Sequence, residues 1–555
     1  MIHNPILPGF HADPSICRVP GAAGVDDYYI ATSTFEWWPG VRIHHSRDLM
    51  HWRHHSYAVT RKSQLDLIGH PDSAGVWAPC LSYAHGMFWL IYTDVRSTIG
   101  AHKDTHNYLV TAPSIDGPWS EPIYLNSSGF DPSLFHDEDG RSWLLNQQWT
   151  HVPGKNHFNG ILLQEYDRAK GRLVGPVKNI YAGTELGVVE GPHLYRRKGW
   201  YYLLTAEGGT YYEHAVTLAR SRNIDGPYQT LPGNPLLTAW QQRTDGLQRA
   251  GHASLVETAE GEWYLAHLCG RPLEWSGPNA DKQNPEGGYA GLHCILGRET
   301  GIQRIHWRDD DWPEIEGGGN VPHASVRAPS LALQPFPPEP ARDDFDSSTL
   351  NHHLNSLRRP FDESWLSLRE RPGHLRLKGG ESLMSLFEQS LVARRQQHFN
   401  CRAETRVDFD PENLHQMAGI AAYYNTSNHA YLHVSFDEDS GQRVLRLHVN
   451  RTAAMSQACP PVPLQPGPVD LAIEFHHAQY QCYYAQAGGE SGGEWKAFGP
   501  PLDSAMLSDE FATRFEDGFA RSFGFTGNFI ALACQDLAGT RKHADFDHFT
   551  YEARR

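Results

Sequence analysis

The chain has 555 residues, too many for one ordinary core, and this length predicts two or three domains. A formal net charge of −16 argues against nucleic acid and anionic membranes as partners, and no run of about 18 apolar residues is present to form a transmembrane helix. Aromatic residues at 11%, together with 51 Gly and 37 Pro, favour short strands joined by turns over long helices.

The cysteines and the first residues bear on the cellular compartment. Eight Cys are scattered through the chain without a C-x-x-C pair, which is typical of buried free thiols in a reducing compartment, although an even count also permits disulfides. The opening MIHNPILPGF has neither the basic segment nor the apolar segment of a signal peptide. We therefore expect a cytoplasmic protein.

In chain order, the first elements form a repeat of about sixty residues. Each unit begins with a small or acidic residue and continues with an apolar strand, a turn containing Gly and an aromatic-rich strand. Turns such as H-G, D-G and K-G between β-rich runs mark hairpins. The five units begin at Asp13, Ala78, Asp131, Gly191 and His252. This pattern predicts a five-bladed β-propeller over residues 1–315, with a β-sandwich carrying coincidental hairpins as the alternative.

The remainder of the chain predicts a second domain. Residues 316–342 are rich in Gly and Pro and lack periodicity, so they are expected to form a linker. Residues 432–450 read as two alternating strands around an Asp/Ser/Gly turn. We expect residues 343–555 to form a β-sandwich of the jelly-roll or concanavalin-like type, so that the whole protein is all-β.

A propeller brings the starts of its blades together. The innermost strand of every blade lies beside the axis, so the residues that begin these strands converge at one end of the channel. Asp13, Asp131, Glu190 and His252 are therefore expected to meet in space. Each one alone has a structural explanation, since Asp-Pro is a common turn signal. A Pro at four of the five blade starts, however, does not require an acid beside it in three blades.

Several carboxylates facing a neutral polar substrate suit hydrolysis of a glycosidic bond. One must be protonated to donate to the leaving oxygen, and another must be ionised to activate water or to attack carbon. Burial and a neighbouring negative charge raise the pKa of the acid, and hydrogen bonds keep the base ionised. Aromatic rings in residues 34–40 and at Trp77 could pack on a sugar, although Trp37 and Trp38 are equally compatible with the core.

Six motifs, in order, resemble the family 43 glycoside hydrolases, most closely the two-domain β-xylosidases that also cleave α-L-arabinofuranosides. The motifs are NPILPGFHADPSICR (4–18), YYIATSTFEWWPGVRIHHSRDLMHW (28–52), GFDPSLFHD (129–137), EGPHLY (190–195), LGRETGIQR (296–304) and HADFDHFTYE (543–552). The resemblance implies a five-bladed propeller followed by a β-sandwich. It also implies an inverting mechanism with Asp13 as general base, Glu190 as general acid and Asp131 as the residue that tunes and positions Glu190.

The resemblance also implies which residues surround the sugar. Arg298 would hydrogen-bond the sugar or the carboxylates, and Phe35 and Trp77 would form the wall of the −1 pocket. The sandwich domain of such enzymes contributes an aromatic residue to the pocket rim. Phe525 is the candidate for that residue, with Phe529 as the second choice.

His252 matches a histidine that lies under the site in this family and binds a divalent cation or water in some members. No cofactor is expected to be required, and a Ca²⁺ ion near His252 is the one metal that the resemblance suggests. The sequence departs from the family at residues 274–291, which resemble an insertion, and at VVEGPH, where a Thr often precedes the Glu.

The expected function is release of β-D-xylose from the non-reducing end of xylo-oligosaccharides, with α-L-arabinofuranosides also cleaved. Substrates would be xylo-oligosaccharides or arabinose-substituted oligosaccharides, and the resemblance suggests a homodimer or homotetramer. Action on imported oligomers would agree with a cytoplasmic location. The alternatives are an enzyme that is primarily an α-L-arabinofuranosidase, a non-catalytic carbohydrate-binding propeller, and a structural scaffold with an accidental acidic channel.

Overall fold

A computed structural model describes residues 1–21, 24–240, 246–274, 291–486, 493–516 and 519–554. Over these residues the chain is almost entirely β, with one short α-helix at Asp509–Ala512 and one 3-10 helix at Ser504–Leu507. Neither described helix has the length or apolarity needed to span a bilayer. The all-β class predicted from the sequence is confirmed.

Five antiparallel sheets follow one another along the first part of the described chain, each built mainly as a four-stranded meander. The first strands of neighbouring sheets contact one another, and the first strand of the fifth sheet contacts that of the first, so the ring closes. This arrangement is the predicted five-bladed propeller. The blades comprise Ser15–Val19, Asp27–Thr32, Gly40–Ser46 and Arg53–Val59; Gly75–Ala84, Met87–Val95, Thr105–Ala112 and Ile123–Asn126; Ser133–His136, Ser142–Trp149, Phe158–Asp167 and Arg172–Tyr181; Glu190–Arg197, Trp200–Glu207, Ala215–Ser221 and Gln229–Thr230, with Leu237–Thr238 added; and Gln248–Glu257, Trp263–Gly270, Glu299–Trp307 and Pro313–Ile315.

Serine side chains near the blade starts join neighbouring blades. Ser15 Oγ accepts a hydrogen bond of 3.0 Å from the amide of Leu81 in the second blade. Ser254 Oγ, in the fifth blade, accepts one of 2.9 Å from the amide of Ile16 and donates one of 2.8 Å to the carbonyl of Pro14. The D-P-S and H-A-S sequences therefore fix the relative position of the strands that carry the site.

Apolar residues from facing sheets fill the space between blades. Between the fourth and fifth blades, Leu204, Leu218, Leu255 and Leu265 are all buried in one cluster. Truncating such a side chain to Ala typically costs about 2–5 kcal/mol of unfolding free energy, because lost burial and a cavity add together. Separate buried clusters of the same kind lie between the second and third, the third and fourth, and the fifth and first blades.

A second compact unit contains two larger sheets that enclose one apolar core, which includes Leu377, Ile420, Leu432, Phe475 and Phe546. This pair of sheets is the predicted sandwich. One sheet runs in the order Leu366–Ser367, Leu375–Lys378, His543–Ala553, Asn400–Asp408, Val469–His476, Gln479–Ala485 and Lys496–Asp503, with Arg342–Asp343 also paired to His543–Ala553. The other runs Ala454–Gln457, Gln442–Arg451, Asn428–Asp437, Gln416–Asn425, Phe529–Asp536, Ser390–Arg395 and Asn355–Leu357, with Val462–Pro463 also paired to Gln442–Arg451.

This second unit also includes Asp66–Ser73 and Pro272–Gly297, two segments that lie within the range predicted for the propeller domain. Specific contacts explain this grouping. The fully buried Arg358 donates to the carbonyl of His70 and to the Asp72 carboxylate, each at 2.7 Å. The amide of Asn528 donates to the carbonyl of Ile295 at 2.8 Å. The domain boundaries at 315 and 342 stay predictions, and the predicted insertion at 274–291 lies, apart from its two end residues, outside the described residues.

Candidate active site

The residue that begins each blade has the same unusual backbone. The φ angles of Asp13, Ala78, Asp131, Gly191 and His252 are 55°, 34°, 53°, 55° and 33°. Four of these five residues are not glycine, and a side chain held in this left-handed region costs about 1–3 kcal/mol. Strain of this kind persists where the surrounding structure over-determines it, and it clusters at functional sites. Its repetition around the axis marks this end of the channel as the candidate active site.

The fourth blade places its acid differently from the first and third. Gly191 takes the left-handed position, so Glu190 lies one residue earlier and pairs across the sheet with Ala206. The pairing register then shifts before His193, which is the signature of a β-bulge. A Cβ atom on Gly191 would lie 3.0–3.2 Å from ring atoms of His252, so this position favours glycine for space as well as for its φ.

Asp13 is buried and held by two donors. Ser33 Oγ donates to Asp13 Oδ2 at 2.7 Å, and an Arg298 guanidinium nitrogen lies 3.2 Å from Oδ1. His252 Nδ1 is 3.7 Å from the same Oδ1. Burial disfavours the ionised carboxylate, but Arg298, His252 and Ser33 together outweigh it, and the pKa of Asp13 lies below its usual value. Asp13 is therefore ionised and able to accept a proton.

Asp131 contacts the backbone beside the fourth-blade acid. Its Oδ2 accepts a hydrogen bond of 3.1 Å from the amide of Gly191 and lies 3.9 Å from His252 Nδ1. Burial, assisted by the negative charge of Asp13, raises the pKa of Asp131 to about 6, against the opposing effect of His252. Asp131 is thus placed both to fix the chain at Glu190 and to act on that residue through its charge.

Glu190 has the environment of a protonated acid. Its side chain is buried, and within the described part of the chain its Oε1 has no hydrogen-bond partner. Burial and the negative charges of Asp131 and Asp13 raise the pKa of Glu190 well above its usual value, although Arg298 and Lys103 act in the opposite direction. The structure therefore brings the three predicted carboxylates together and gives Asp13 and Glu190 opposite pKa shifts.

Lys103 and Ser33 are site residues that the sequence analysis did not identify. Lys103 lies between the second and third strands of the second blade, where Nζ donates to the carbonyl of Thr98 at 2.9 Å and is 4.7 Å from the ring centroid of Trp149. Burial lowers the pKa of Lys103 to about 8, although the negative charge of Glu190 acts in the opposite direction. The segment around Lys103 is polar and lies outside the repeated pattern, so no sequence signal pointed to it.

Aromatic rings adjoin the Asp13–Arg298 pair. The ring centroid of Phe35 lies 5.2 Å from the Arg298 guanidinium carbon and 6.2 Å from the centroid of Trp77. Trp77 in turn packs edge-to-face against Phe130, with the ring centroids 5.5 Å apart. Phe35 is buried, whereas Trp77 is half-buried. Phe35 therefore packs beside the arginine that holds Asp13, and Trp77 lies next to Phe35; their role as the wall of the −1 pocket stays a prediction.

Other predicted aromatic residues lie in different surroundings. Trp37 and Trp38 are buried, at 0% and 2% exposure, which agrees with the core alternative. Phe525 belongs to the second unit, is buried and stacks on Phe523 with a centroid distance of 4.9 Å. Phe529 is fully buried at the start of strand Phe529–Asp536. The rim position of Phe525 or Phe529 stays a prediction.

His252 lies between the two aspartates, and two carboxylate oxygens approach its Nδ1 within 4 Å. One of these oxygens already accepts from Arg298 and the other from Gly191. Ca²⁺ takes about 6–8 oxygen ligands, so this set of donors does not fit the ion by itself. A cation near His252 stays a prediction.

Comparison with known proteins agrees with this architecture. A model described as glycosyl hydrolases family 43 matches residues 2–313, and one for the β-xylosidase C-terminal concanavalin A-like domain matches residues 342–552. A "Xylosidase/arabinosidase 43B" of Humicola insolens is 49% identical, with 99% of this chain and 97% of that protein aligned. A "Beta-xylosidase" of Bacillus subtilis (strain 168) is 48% identical over the full length of both. The crystal structure of a xylan β-1,4-xylosidase from Bacillus halodurans C-125 superposes with a TM-score of 0.92 at 55% identity, covering all of both chains. The protein is therefore a glycoside hydrolase that belongs to family 43.

Proposed function

We propose that the protein is an exo-acting, inverting glycosidase that releases β-D-xylose from the non-reducing end of xylo-oligosaccharides. The observation that carries the proposal is the opposite pKa shifts of two buried carboxyls in one cluster, lowered for Asp13 and raised for Glu190. Such a pair supplies a base and an acid at the same pH. The xylosidase names of similar proteins support xylose as the released sugar.

In this mechanism Glu190 donates its proton to the glycosidic oxygen as the bond to the anomeric carbon breaks. Protonation of the leaving group lowers the barrier because the departing sugar leaves as an alcohol and not as an alkoxide. The buried position of Glu190 and the nearby negative charges of Asp131 and Asp13 keep this proton in place until it is needed.

Asp13 accepts a proton from a water molecule on the opposite face of the sugar. The water oxygen attacks the anomeric carbon as the leaving oxygen departs, so the configuration inverts. Afterwards Asp13 carries one proton more and Glu190 one proton fewer, and exchange with solvent restores both. Ser33 and Arg298 support this role because they stabilise the ionised form of Asp13.

Asp131 acts through Glu190 in this proposal. Its hydrogen bond from the Gly191 amide holds the backbone next to the acid, and its charge raises the pKa of Glu190. Asp131 is therefore a positioning and tuning residue, while Glu190 and Asp13 exchange protons with the reactants.

A second activity, cleavage of α-L-arabinofuranosides in the same pocket, is supported by the similar Humicola insolens protein, whose name includes both activities. The pyranose and the furanose present similar hydroxyls when bound, so one set of donors can serve both sugars. An enzyme that prefers arabinofuranosides is the main alternative to xylose preference.

The proposal is tested with xylobiose, an aryl β-D-xyloside and an aryl α-L-arabinofuranoside, each incubated with the wild-type protein. We expect free xylose from xylobiose, and we expect NMR of the first product to show α-xylose. A higher kcat/KM on the arabinofuranoside than on the xyloside would select the alternative. No hydrolysis of either xylose substrate, or β-xylose as the first product, would contradict the proposal.

We also propose a cytoplasmic location, no requirement for a cofactor and a homo-oligomeric state. All eight cysteines are free thiols, which suits a reducing compartment. The acidic net charge argues against binding to nucleic acid or anionic membranes. Prolonged dialysis against EDTA should leave kcat unchanged, and light scattering during size-exclusion chromatography should give a mass of two or four chains.

A further inference from the structure

Glu339, His352 and His353 form a cluster within the second unit, separate from the carboxylates of the active site. Glu339 Oε2 is in direct contact with Nε2 of His353, and Oε1 lies 3.8 Å from Nε2 of His352. The two imidazole centroids are 4.5 Å apart and tilted by 45°. One ligand atom from each residue lies within 4.8 Å of the other two, and no other group of three His, Cys, Asp or Glu meets this condition among the residues with described positions.

The backbone around the cluster is constrained on both sides. Glu339 lies between Pro338 and Pro340, and a Pro ring fixes φ and restricts the residue before it. His352 and His353 occupy a turn in which Asn351 Oδ1 accepts from the His353 amide at 3.0 Å. The Leu354 amide donates to the carbonyl of Asn351 at 2.9 Å and closes the same turn. Because both backbone segments are already constrained, the three side chains need little further ordering to bind one ion.

The exposure of the cluster also favours a bound cation. The side chain of His353 is 11% exposed and anchors the cluster, whereas those of Glu339 and His352 are 39% and 54% exposed. A cation can therefore reach the cluster from solvent.

We propose that Glu339, His352 and His353 bind one Zn²⁺ ion. Two imidazole nitrogens and one carboxylate oxygen are ligands that zinc takes at about 2.0–2.2 Å, with water in the fourth tetrahedral position. Ca²⁺ and Mg²⁺ take oxygen ligands almost exclusively, so two nitrogens among three donors argue against both.

The geometry requires only small side-chain movements. Ligand atoms of a tetrahedral zinc site are about 3.3 Å apart, given the bond lengths above. The contact between Glu339 and His353 must open slightly, and the 3.8 Å separation between Glu339 and His352 must close slightly. The ion would then join the Pro-rich segment before the sandwich to the turn that contains the histidines. Because the unfolded chain lacks this arrangement, binding stabilises the folded protein.

The test uses full-length protein freed of metal with EDTA, titrated with ZnCl₂ by calorimetry and by thermal unfolding. The wild-type protein should bind Zn²⁺ at a saturable site, and its melting temperature should rise with Zn²⁺ and return when EDTA is added. Loss of an outer-shell partner alone costs 10–100-fold in metal affinity, so His352→Ala should weaken this site by about tenfold or more.

His352→Ala is the informative variant because His352 has the most exposed side chain of the three, at 54%. Its metal-free melting temperature and its kcat on an aryl xyloside should equal those of the wild type. The matched control is His476→Ala, which removes an exposed imidazole that is 3.0 Å from a single carboxylate, Glu474. This control should keep wild-type zinc affinity.

Glu339→Gln provides a second variant that removes the carboxylate charge and keeps the side-chain size; it should also lose the zinc-dependent rise in melting temperature. If the wild type shows no saturable Zn²⁺ binding, or if His352→Ala and Glu339→Gln both bind Zn²⁺ as the wild type does, the cluster is only an ion pair and the proposal is wrong. Because kcat is measured separately on metal-free protein, this outcome leaves the proposed hydrolase activity unaffected.

Discussion

The carboxylate of Asp131 accepts a hydrogen bond from the amide of Gly191, the residue that follows Glu190. This 3.1 Å contact joins the third and fourth blades at the start of strand Glu190–Arg197, which carries the proposed acid. The same carboxylate raises the pKa of Glu190 through its charge. In the proposed mechanism, Asp131 therefore fixes the backbone beside Glu190 and also keeps Glu190 protonated.

Asp131→Asn separates these two effects because it keeps an oxygen acceptor for Gly191 and removes the charge. The pKa of Glu190 should fall, so Glu190 should lose its proton at a lower pH. We expect the basic limb of the pH profile of kcat/KM on an aryl xyloside to move to lower pH. At pH 7, kcat/KM should fall by about tenfold or more. An unchanged basic limb in a variant with normal melting temperature would contradict the charge effect.

Lys103→Met should move the same limb in the opposite direction. The positive charge of Lys103 lowers the pKa of Glu190, so its removal should raise that pKa and extend activity to higher pH. The measurement is the same pH profile, recorded for both variants in one buffer series. A shift of the same sign in Lys103→Met and Asp131→Asn would show that charge near Glu190 does not set the basic limb.

Ser33→Ala tests how Asp13 is kept ionised. Without the 2.7 Å hydrogen bond from Ser33, the pKa of Asp13 should rise, and the acidic limb of the profile should move to higher pH. Ser33 also accepts from the amide of Ala78, so a stability loss of about 1–3 kcal/mol is expected.

Ser254→Ala is the matched control for Ser33→Ala. Ser254 also joins two blades through its hydroxyl, by accepting from Ile16 and donating to Pro14, and neither bond involves a carboxylate. It should lose similar stability and keep the wild-type acidic limb. An equal shift of the acidic limb in both variants would show that weakened contacts between blades, and not the lost hydrogen bond to Asp13, cause the shift.

Gly191→Ala should reduce both stability and activity. The residue has a φ of 55°, and the added Cβ would meet the His252 ring at 3.0 Å. The backbone strain alone costs about 1–2 kcal/mol. Gly86→Ala, with a φ of 74° and no atom within 4 Å of the new Cβ among the described residues, carries the same kind of strain without the clash. Thermal unfolding and kcat of the two variants should differ, with Gly191→Ala the more affected in both.

The sequence was sufficient to predict the propeller and the meeting of its acids because the same local pattern recurs. An acid beside Pro at Asp13 and Asp131, and Glu190 beside Gly-Pro, identify blade starts, and blade starts converge by symmetry. The left-handed backbone at those starts could not be predicted in this way. The residue before a Pro is normally biased toward extended conformations, and the left-handed φ at Asp13 and Asp131 is imposed by the packed blades.

Residues whose roles depend on contacts between distant segments were missed for a physical reason. Lys103 acts on Glu190 through its charge from a polar loop of the second blade, and Ser33 donates to Asp13 from a segment 20 residues further along the chain. The grouping of residues 66–73 with the sandwich depends on the buried Arg358, which has no local sequence signature. Local periodicity carries no information about such pairings.

The measurement that tests the proposed roles most directly compares Asp13→Ala and Glu190→Ala on two aryl xylosides, one whose leaving group needs a proton and one whose leaving group does not. A general acid contributes about 10²–10⁴-fold when the leaving group needs its proton. Glu190→Ala should therefore lose activity on the first substrate by about this factor and keep much more on the second, whereas Asp13→Ala should lose activity on both. An equal loss on both substrates in the two variants would contradict the assignment of Glu190 as the acid.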